Sequence, residues 1–562
     1  MTALGGDTRS VEPAWVLVGI TFSLLICGSL LLYGSGRGFD LTDETFYIIW
    51  TRDPNAYQFS YQPFGYLLHP LFELVGGDLQ AYRLMGFAIT AAAGALVGHS
   101  LRSASRRAAL FTIYGASAAL TIFFPWIVTP SYNSAANVAA LLIIGGVLSA
   151  FAHSVPTRIL GLVATGFGLC VAAFSKPPLF ALAAVGIAVT ALFARGRRAE
   201  LIGSLALGGS SMCLFLSPSE IVLLVRRIIV TQHVLALPNT PPALPGKILR
   251  DWLAVPVPIT AAVIAGALGF AVRRTRWYAW PGYAAIALSL YYIASIVPDA
   301  IDGEIPDFLG VAIITMVAAY AAVLQREQQS SLSVVALLLV APVAVALGTF
   351  NNQWSQLNFS MAFPFIALLT LASADPIASR KGAAQCVAIV GPMMVMLLAA
   401  WSPYSLPASI FDQQIPIKPP LASGSVRVDQ ETADFVRSAR GLGQDAVILD
   451  LSGTGPGVDV VLGGRSPVVS WLNPAVPAWV DLVWSRLSVE QRRSAWFVVP
   501  VWPQFAHSAP ARWLKEHRGQ YCNIALPEMP FWGEERVLQV WRPCELRDSR
   551  VGADTTRRFR IE

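Results

Sequence analysis

The chain has 562 residues, 55% apolar and 13% charged, with a mean hydropathy of +0.56, which excludes an ordinary soluble globular protein with its usual charge of about 25%. Residues 1–401 hold 39 Asp, Glu, Lys and Arg side chains and residues 402–562 hold 35, so roughly 10% of the first part is charged against roughly 22% of the second, which implies lipid and then water as solvents. The net charge of +6 and pI near 9.0 do not point to nucleic acid, because the arginines cluster in short loops between apolar runs, where membrane topology accounts for them.

About thirteen apolar runs are long enough to cross a hydrocarbon core of ~30 Å as helices of about 20 residues. They begin near Pro13, Ala81, Ala108, Ser131, Thr157, Pro177, Ala199, Leu253, Trp277, Phe308, Leu332, Met361 and Ala384, and the last ends near Trp401. The first run lacks a small-residue cleavage site and reads as an uncleaved helix, not a signal peptide. Orientation follows from the positive-inside rule. Arg102, Arg106 and Arg107 follow the second run, Arg158 the fourth, Arg195, Arg197 and Arg198 the sixth, Arg273, Arg274 and Arg276 the eighth, Arg326 the tenth, and Arg380 with Lys381 the twelfth. Every even-numbered run then ends in the cytoplasm, the N-terminus is cytoplasmic, and residues 402–562 lie outside the plasma (inner) membrane. The loops Gly34–Gln80, Ser217–Asp251, Val297–Asp307 and Thr349–Ser360 share that outer side. The expected architecture is a polytopic α-helical membrane protein of about 13 transmembrane helices in residues 1–401, with a first outer loop at 34–80, followed by an extracytoplasmic α/β domain at 402–562.

Cys27, Cys170, Cys213 and Cys386 fall within apolar runs as small apolar side chains, whereas Cys522 and Cys544 fall in the outer segment, where an oxidising compartment permits pairing. After a Pro-rich linker from Pro403 to Pro420, the outer segment predicts strands at Ala446–Leu451, Val468–Trp471, Ala495–Val501 and Val537–Trp541 and helices at Gln430–Arg440, Val480–Leu487 and Ala509–His517. The Gly-rich stretch Gly453–Gly464 lacks the spacing of a nucleotide fingerprint and reads as turns. His507 and His517 lack the close Cys or carboxylate partners of a zinc site. The Arg-rich end, Arg547–Arg560, reads as a disordered tail.

The first outer loop is the most informative stretch. It contains Asp40, Asp43 and Glu44, and Tyr47 lies one helical turn beyond Asp43 if Leu41–Trp50 is a short interfacial helix. A carboxylate pair at a water–lipid boundary, roofed by aromatics, suits a general base acting on an acceptor hydroxyl or amine. Acid pairs are also common without any catalytic role.

With those residues in place the chain resembles the polyprenyl-phosphate-dependent glycosyltransferases of the GT-C class, in particular the protein O-mannosyltransferase and lipid A aminoarabinose transferase group. That group has an Asp-Glu pair followed by Tyr in its first outer loop, as in Asp43-Glu44-Thr45-Phe46-Tyr47. The segment Tyr61-Gln62-Pro63-Phe64-Gly65-Tyr66-Leu67-Leu68 through Phe72-Glu73-Leu74-Val75-Gly76 is similar to the Pro-rich stretch that follows, and Arg83-Leu84 matches the start of the second span. Ser175-Lys176-Pro177-Pro178 stands where the group has Thr-Lys-Gly-Pro. The resemblance covers mainly residues 13–200. It implies a GT-C-like fold and a membrane glycosyltransferase that takes a sugar from a polyprenyl-phosphate donor and passes it, by inverting displacement, to a glycan, lipid or protein acceptor of the cell envelope.

On that resemblance Asp43 is the expected base with Glu44 in support, and Asp40 and Tyr47 assist. Lys176 is the expected donor-phosphate ligand, or alternatively a snorkelling end-anchor. Arg226 and Arg227, on the apolar run Ile221–Val230, are further phosphate candidates or headgroup anchors. Arg83 either reaches the boundary or pairs with an acid of the first loop. Gln62 replaces a Lys of the aminoarabinose transferases, and Asn133, in Thr129-Pro130-Ser131-Tyr132-Asn133, replaces a second acid of many relatives, which disfavours a divalent metal. Asp299, Asp302, Glu304 and Asp307 either supply such acids or form a solvated loop. No cofactor is otherwise implied. Two alternatives stay open, another lipid-linked-glycan enzyme such as a ligase or polymerase, and a multispan transporter. Charged candidates grouped at one boundary, with no evident inverted repeat, weigh against transport.

Overall fold

The computed structural model describes residues 13–57, 63–102, 108–235, 244–271, 279–301, 306–324, 329–349, 351–472, 477–500, 508–531 and 534–544. Tyr61, Gln62, Arg106, Arg107, Arg273, Arg274, Arg276, Arg326, Asp302, Glu304, His507 and the stretch Arg547–Arg560, all singled out above, lie outside the described residues. Two units separate by their internal contacts: Met1–Asp40 with Tyr47–Gln430, and Leu41–Phe46 with Glu431–Glu562.

In the first unit the apolar runs are helices, as a segment in lipid must satisfy its own backbone polar groups. Among the described residues six helices are long and apolar enough to cross a membrane: Ala14–Gly34, Leu79–Leu101, Tyr132–Ala150, Val155–Ser175, Ala279–Ala300 and Ala378–Trp401. Up to eight result if two bent pairs each count as one span, Pro177–Phe193 with Arg195–Leu214 (bent by 118°) and Leu244–Trp252 with Val257–Gly269 (112°). Four further apolar helices, Ala108–Phe123, Leu309–Val323, Leu332–Ala346 and Ala362–Ala374, are shorter. Among the described residues the expected count of about thirteen spans is therefore not confirmed. The apolar runs are present, but composition does not register a sharp bend or an early helix end.

Lipid tails offer no hydrophobic drive between helices, so association relies on close packing of small residues. A Cβ added to Gly98 would overlap the carbonyl oxygen of Phe111, and one on Gly146 would stand 2.6 Å from the Thr165 nitrogen. These positions allow Leu79–Arg102 to pack on Ala108–Ala119, and Tyr132–Ala150 on Val155–Ser175. Pro392 lies inside Ala378–Trp401 and has no N–H for the carbonyl four residues earlier. Tyr114 Oη donates to that carbonyl, Ala388 O, at 2.7 Å and to Phe365 O at 3.1 Å, tying three helices together. After Trp401 the chain pairs with the first loop of its own unit. Strands Ile415–Ile417 and Val426–Val428 are antiparallel, Arg427 exchanges backbone bonds with Gly36 and Gly38, both at 2.8 Å, and Ser423 N donates to Gly77 O at 2.8 Å.

The second unit is built on a four-stranded mixed sheet in the order Ile448–Asp450, Trp496–Pro500, Leu538–Pro543, Tyr521–Ala525. The first pair is parallel and the others antiparallel. Three predicted strands fall at their expected places, and the predicted helices are Gln430–Ala439, Pro477–Arg486 and Ala509–Glu516. Val468–Trp471 is not a strand: Pro467 cannot donate to a ladder and Val468 has φ +68°. Tyr521–Ala525 was missed, because five residues on a sheet edge leave little alternation to read. Cys522 and Cys544 form a disulfide with a Cα separation of 5.1 Å. Gly453, Gly455 and Gly463 have φ of +74°, +112° and +84°, consistent with turns, but Gly457–Leu462 is a short helix and not a turn. Beneath them Asp450 and Asp459 are buried, and burial pushes both carboxyls above the usual range, Asp459 further because Asp450 faces it.

Candidate functional site

The first loop is held by Arg83, a fully buried side chain near the start of Leu79–Arg102. Its Nε donates to Thr129 Oγ1 at 3.0 Å, Nη1 to Ser35 O and Arg37 O at 2.8 and 3.0 Å, and Nη2 to Gly38 O at 2.8 Å. A planar guanidinium satisfies several carbonyls at once, as no lysine does. Arg83 thus clamps the backbone that leads into Asp40. Asp40 and Glu44 are buried and Asp43 is half-buried. Asp43 opens the helix Asp43–Arg52, with both Asp43 and Glu44 in its first turn, where carboxylates complement the helix dipole.

Tyr47 lies one turn along that helix. Its ring meets Phe64 edge-on at 6.0 Å and Tyr132 edge-on at 5.7 Å, and Phe64 and Tyr132 are 5.8 Å apart. These three aromatics join the first loop to the Thr129–Asn133 loop. Tyr132 in turn faces Lys176, whose Nζ is 5.5 Å from the ring centroid. Lys176 sits between Val155–Ser175 and Pro177–Phe193 with φ −141° and ψ 94°; Pro177 drives the preceding residue out of helical conformation. Its side chain is buried, and Nζ donates to Val345 O at 2.8 Å. Val345 lies in the last turn of Gln329–Ala346, where carbonyls lack intrahelical partners and a cation is favoured. An ammonium has three donors, and the bond to Val345 O is the one it makes among the described residues, which leaves capacity for an anion. A buried charge of this kind is costly unless paired.

Arg226 is exposed and Arg227 half-buried on Pro218–Leu235. Arg227 lies close enough to Tyr66 of the first loop to act on its phenol. Burial raises the Tyr66 phenol and Arg227 opposes that rise; Tyr66 Oη also donates to Asn55 Oδ1 at 2.7 Å. Asn133 is buried and its carbonyl accepts from Asn137 Nδ2 at 2.9 Å. Among the described residues no three His, Cys, Asp or Glu side chains gather as a metal-holding group.

The structure thus gathers Tyr47, Phe64, Tyr132 and Lys176, with Arg227 near Tyr66. Val345 and Thr129 were not among the expected site residues. Val345 acts through its backbone and carries no side-chain signal, and Thr129 acts through the buried Arg83.

No family model and no curated protein matches the chain. Among solved structures it is similar to the crystal structure of ArnT from Cupriavidus metallidurans in the apo state, with 15% identity, 94% of this chain and 98% of that one covered, and a TM-score of 0.41.

Proposed function

We propose that the chain is a multi-pass membrane glycosyltransferase that moves a sugar from a polyprenyl-phosphate donor to an envelope glycan, lipid or protein on the outer face. Asp43 takes the proton of the acceptor hydroxyl or amine, the acceptor atom bonds to the anomeric carbon, and the bond from that carbon to the phosphate oxygen breaks with its electron pair leaving on the phosphate. Inversion follows from a single displacement. Glu44 and Asp40 support the base, and Tyr47 fixes the aromatic roof. Lys176 binds the phosphate, with Arg227 and then Arg226 as further cations; charge developing on the leaving phosphate is what such donors stabilise. Arg83 holds the loop.

The observation that carries this reading is Lys176: a buried side chain whose Nζ donates to Val345 O at 2.8 Å and faces the ring of Tyr132. The sequence motif around Asp43 supports the base. The test is release of sugar from a polyprenyl-phosphate donor by the purified protein in nanodiscs. Asp43→Asn keeps the size and removes the basic oxygen, so transfer falls by ~10²–10⁴-fold. Wild-type transfer by Asp43→Asn would remove the base assignment.

A further inference from the structure

The segment that bears the proposed base groups with the C-terminal unit and not with the helical one: Leu41–Phe46 belongs with Glu431–Glu562. The contacts responsible come from the Gly-rich stretch. Gly457 N donates to Leu41 O at 2.9 Å. A Cβ on Gly457 would overlap that oxygen and stand 2.7 Å from Leu41 Cα, so no side chain fits without moving the segment. Gly455 has φ +112°, and a Cβ there would lie 3.1 Å from Thr42 Cα. At the other end of the segment Phe46 packs on Trp471 with ring centroids 6.0 Å apart. The two acids, Asp43 and Glu44, lie between these fixed ends.

The turn that makes the contact is itself braced. Ser452 N donates to Asp450 Oδ1 at 2.8 Å, Ser452 Oγ also bonds to that oxygen, Ser452 and Thr454 hydroxyls are 2.7 Å apart, and Thr454 N donates to Ser452 Oγ at 3.2 Å. Asp450 ends a sheet strand, so the sheet, the turn and the acid segment are linked in series by these side-chain bonds and by the Gly457–Leu41 backbone bond. The glycines permit the close approach of two backbones.

We infer that Gly455 and Gly457, with Trp471, are positioning residues that set the placement of the Asp43-Glu44 segment within the C-terminal unit. The inference rests on the proposed function for its catalytic meaning. A misplacement of about 1 Å at a reacting group costs on the order of 10²-fold in rate.

The test uses full-length protein in nanodiscs and compares Gly457→Ala, Trp471→Leu, Asp43→Asn and, as a control in the same unit, Gly519→Ala, whose Cβ would meet nothing within 4 Å. Turnover, donor affinity and hydrogen exchange of peptides covering Leu41–Phe46 are measured. Gly457→Ala is expected to lose ~10²-fold in turnover with donor affinity unchanged, and exchange at Leu41–Phe46 should rise while the sheet strands stay protected. Gly519→Ala should match wild type in all three. If Gly457→Ala does not fold, Trp471→Leu decides by the same readouts. If Asp43→Asn loses transfer while the folded positioning variant keeps wild-type turnover and exchange, the inference is overturned and the proposed function stands. If Asp43→Asn transfers normally, the base assignment has failed; faster exchange at Leu41–Phe46 in Gly457→Ala would still support the positioning contact, and unchanged exchange would remove it too.

Discussion

Replacing Lys176 by Met separates a phosphate ligand from a structural anchor, because the two roles predict different losses. The side chain keeps its length and loses its charge. In the protein alone the ammonium gives one bond to Val345 O and faces Tyr132, so the substitution removes that bond and also removes the desolvation penalty of a buried cation. These terms oppose each other, and the stability of the free protein should change by no more than about 1 kcal/mol. With donor present, the lost contact is a charge-assisted hydrogen bond to phosphate, worth about 1.5–3 kcal/mol, which weakens donor binding roughly 10- to 150-fold. The assay is titration of wild-type and Lys176→Met protein, in the same nanodiscs, with a polyprenyl-phosphate sugar and with a polyprenol of equal length lacking phosphate. Only the phosphorylated lipid should distinguish the two proteins. Equal donor affinity together with a clear fall in melting temperature would refute the phosphate role. Lys176 would then be an end-anchor for Gln329–Ala346, and Arg227 would become the favoured contact.

Two further outcomes are expected. Asp450 and Asp459 have raised carboxyl pKa values in the folded C-terminal unit, so the folded state holds protons that the unfolded chain releases near the ordinary carboxylate range, and the unit's stability is full below that range and declines as pH rises above it. Asp450→Asn keeps an acceptor for Ser452 N and removes the charge; protection of Trp496–Pro500 against hydrogen exchange, corrected for intrinsic rates, should then lose part of its pH dependence between about pH 4 and 8, and identical profiles would refute the carboxyl-pair account. For orientation, a tag after Glu562 is expected to be accessible from outside the cell and one between Arg195 and Arg198 protected, and the reverse pattern would remove the outer-face assignment.

The helical character of residues 13–401 was legible because a span in lipid needs a long apolar run whatever it packs against; the charge contrast pointed to a C-terminal unit beginning after Trp401, whereas the structure groups the chain up to Gln430 with the helices and starts that unit at Glu431. Asp43, Glu44 and Lys176 were legible as residues, since carboxylates and a lysine beside apolar runs are costly enough to call for a reason. Cys522 and Cys544 were legible as a pair because few cysteines lie outside the apolar runs. Tertiary structure alone decided the rest. The 118° and 112° bends leave composition unchanged. Lys176 meets Val345, 169 residues away, through a backbone oxygen that any residue would supply. The glycines at 455 and 457 read as turns in the sequence, where local conformation is the sole visible constraint; their approach to Leu41 and Thr42 is a contact across some 400 residues. Local composition fixes what a segment is able to be, and only the folded chain decides which distant backbone it must touch.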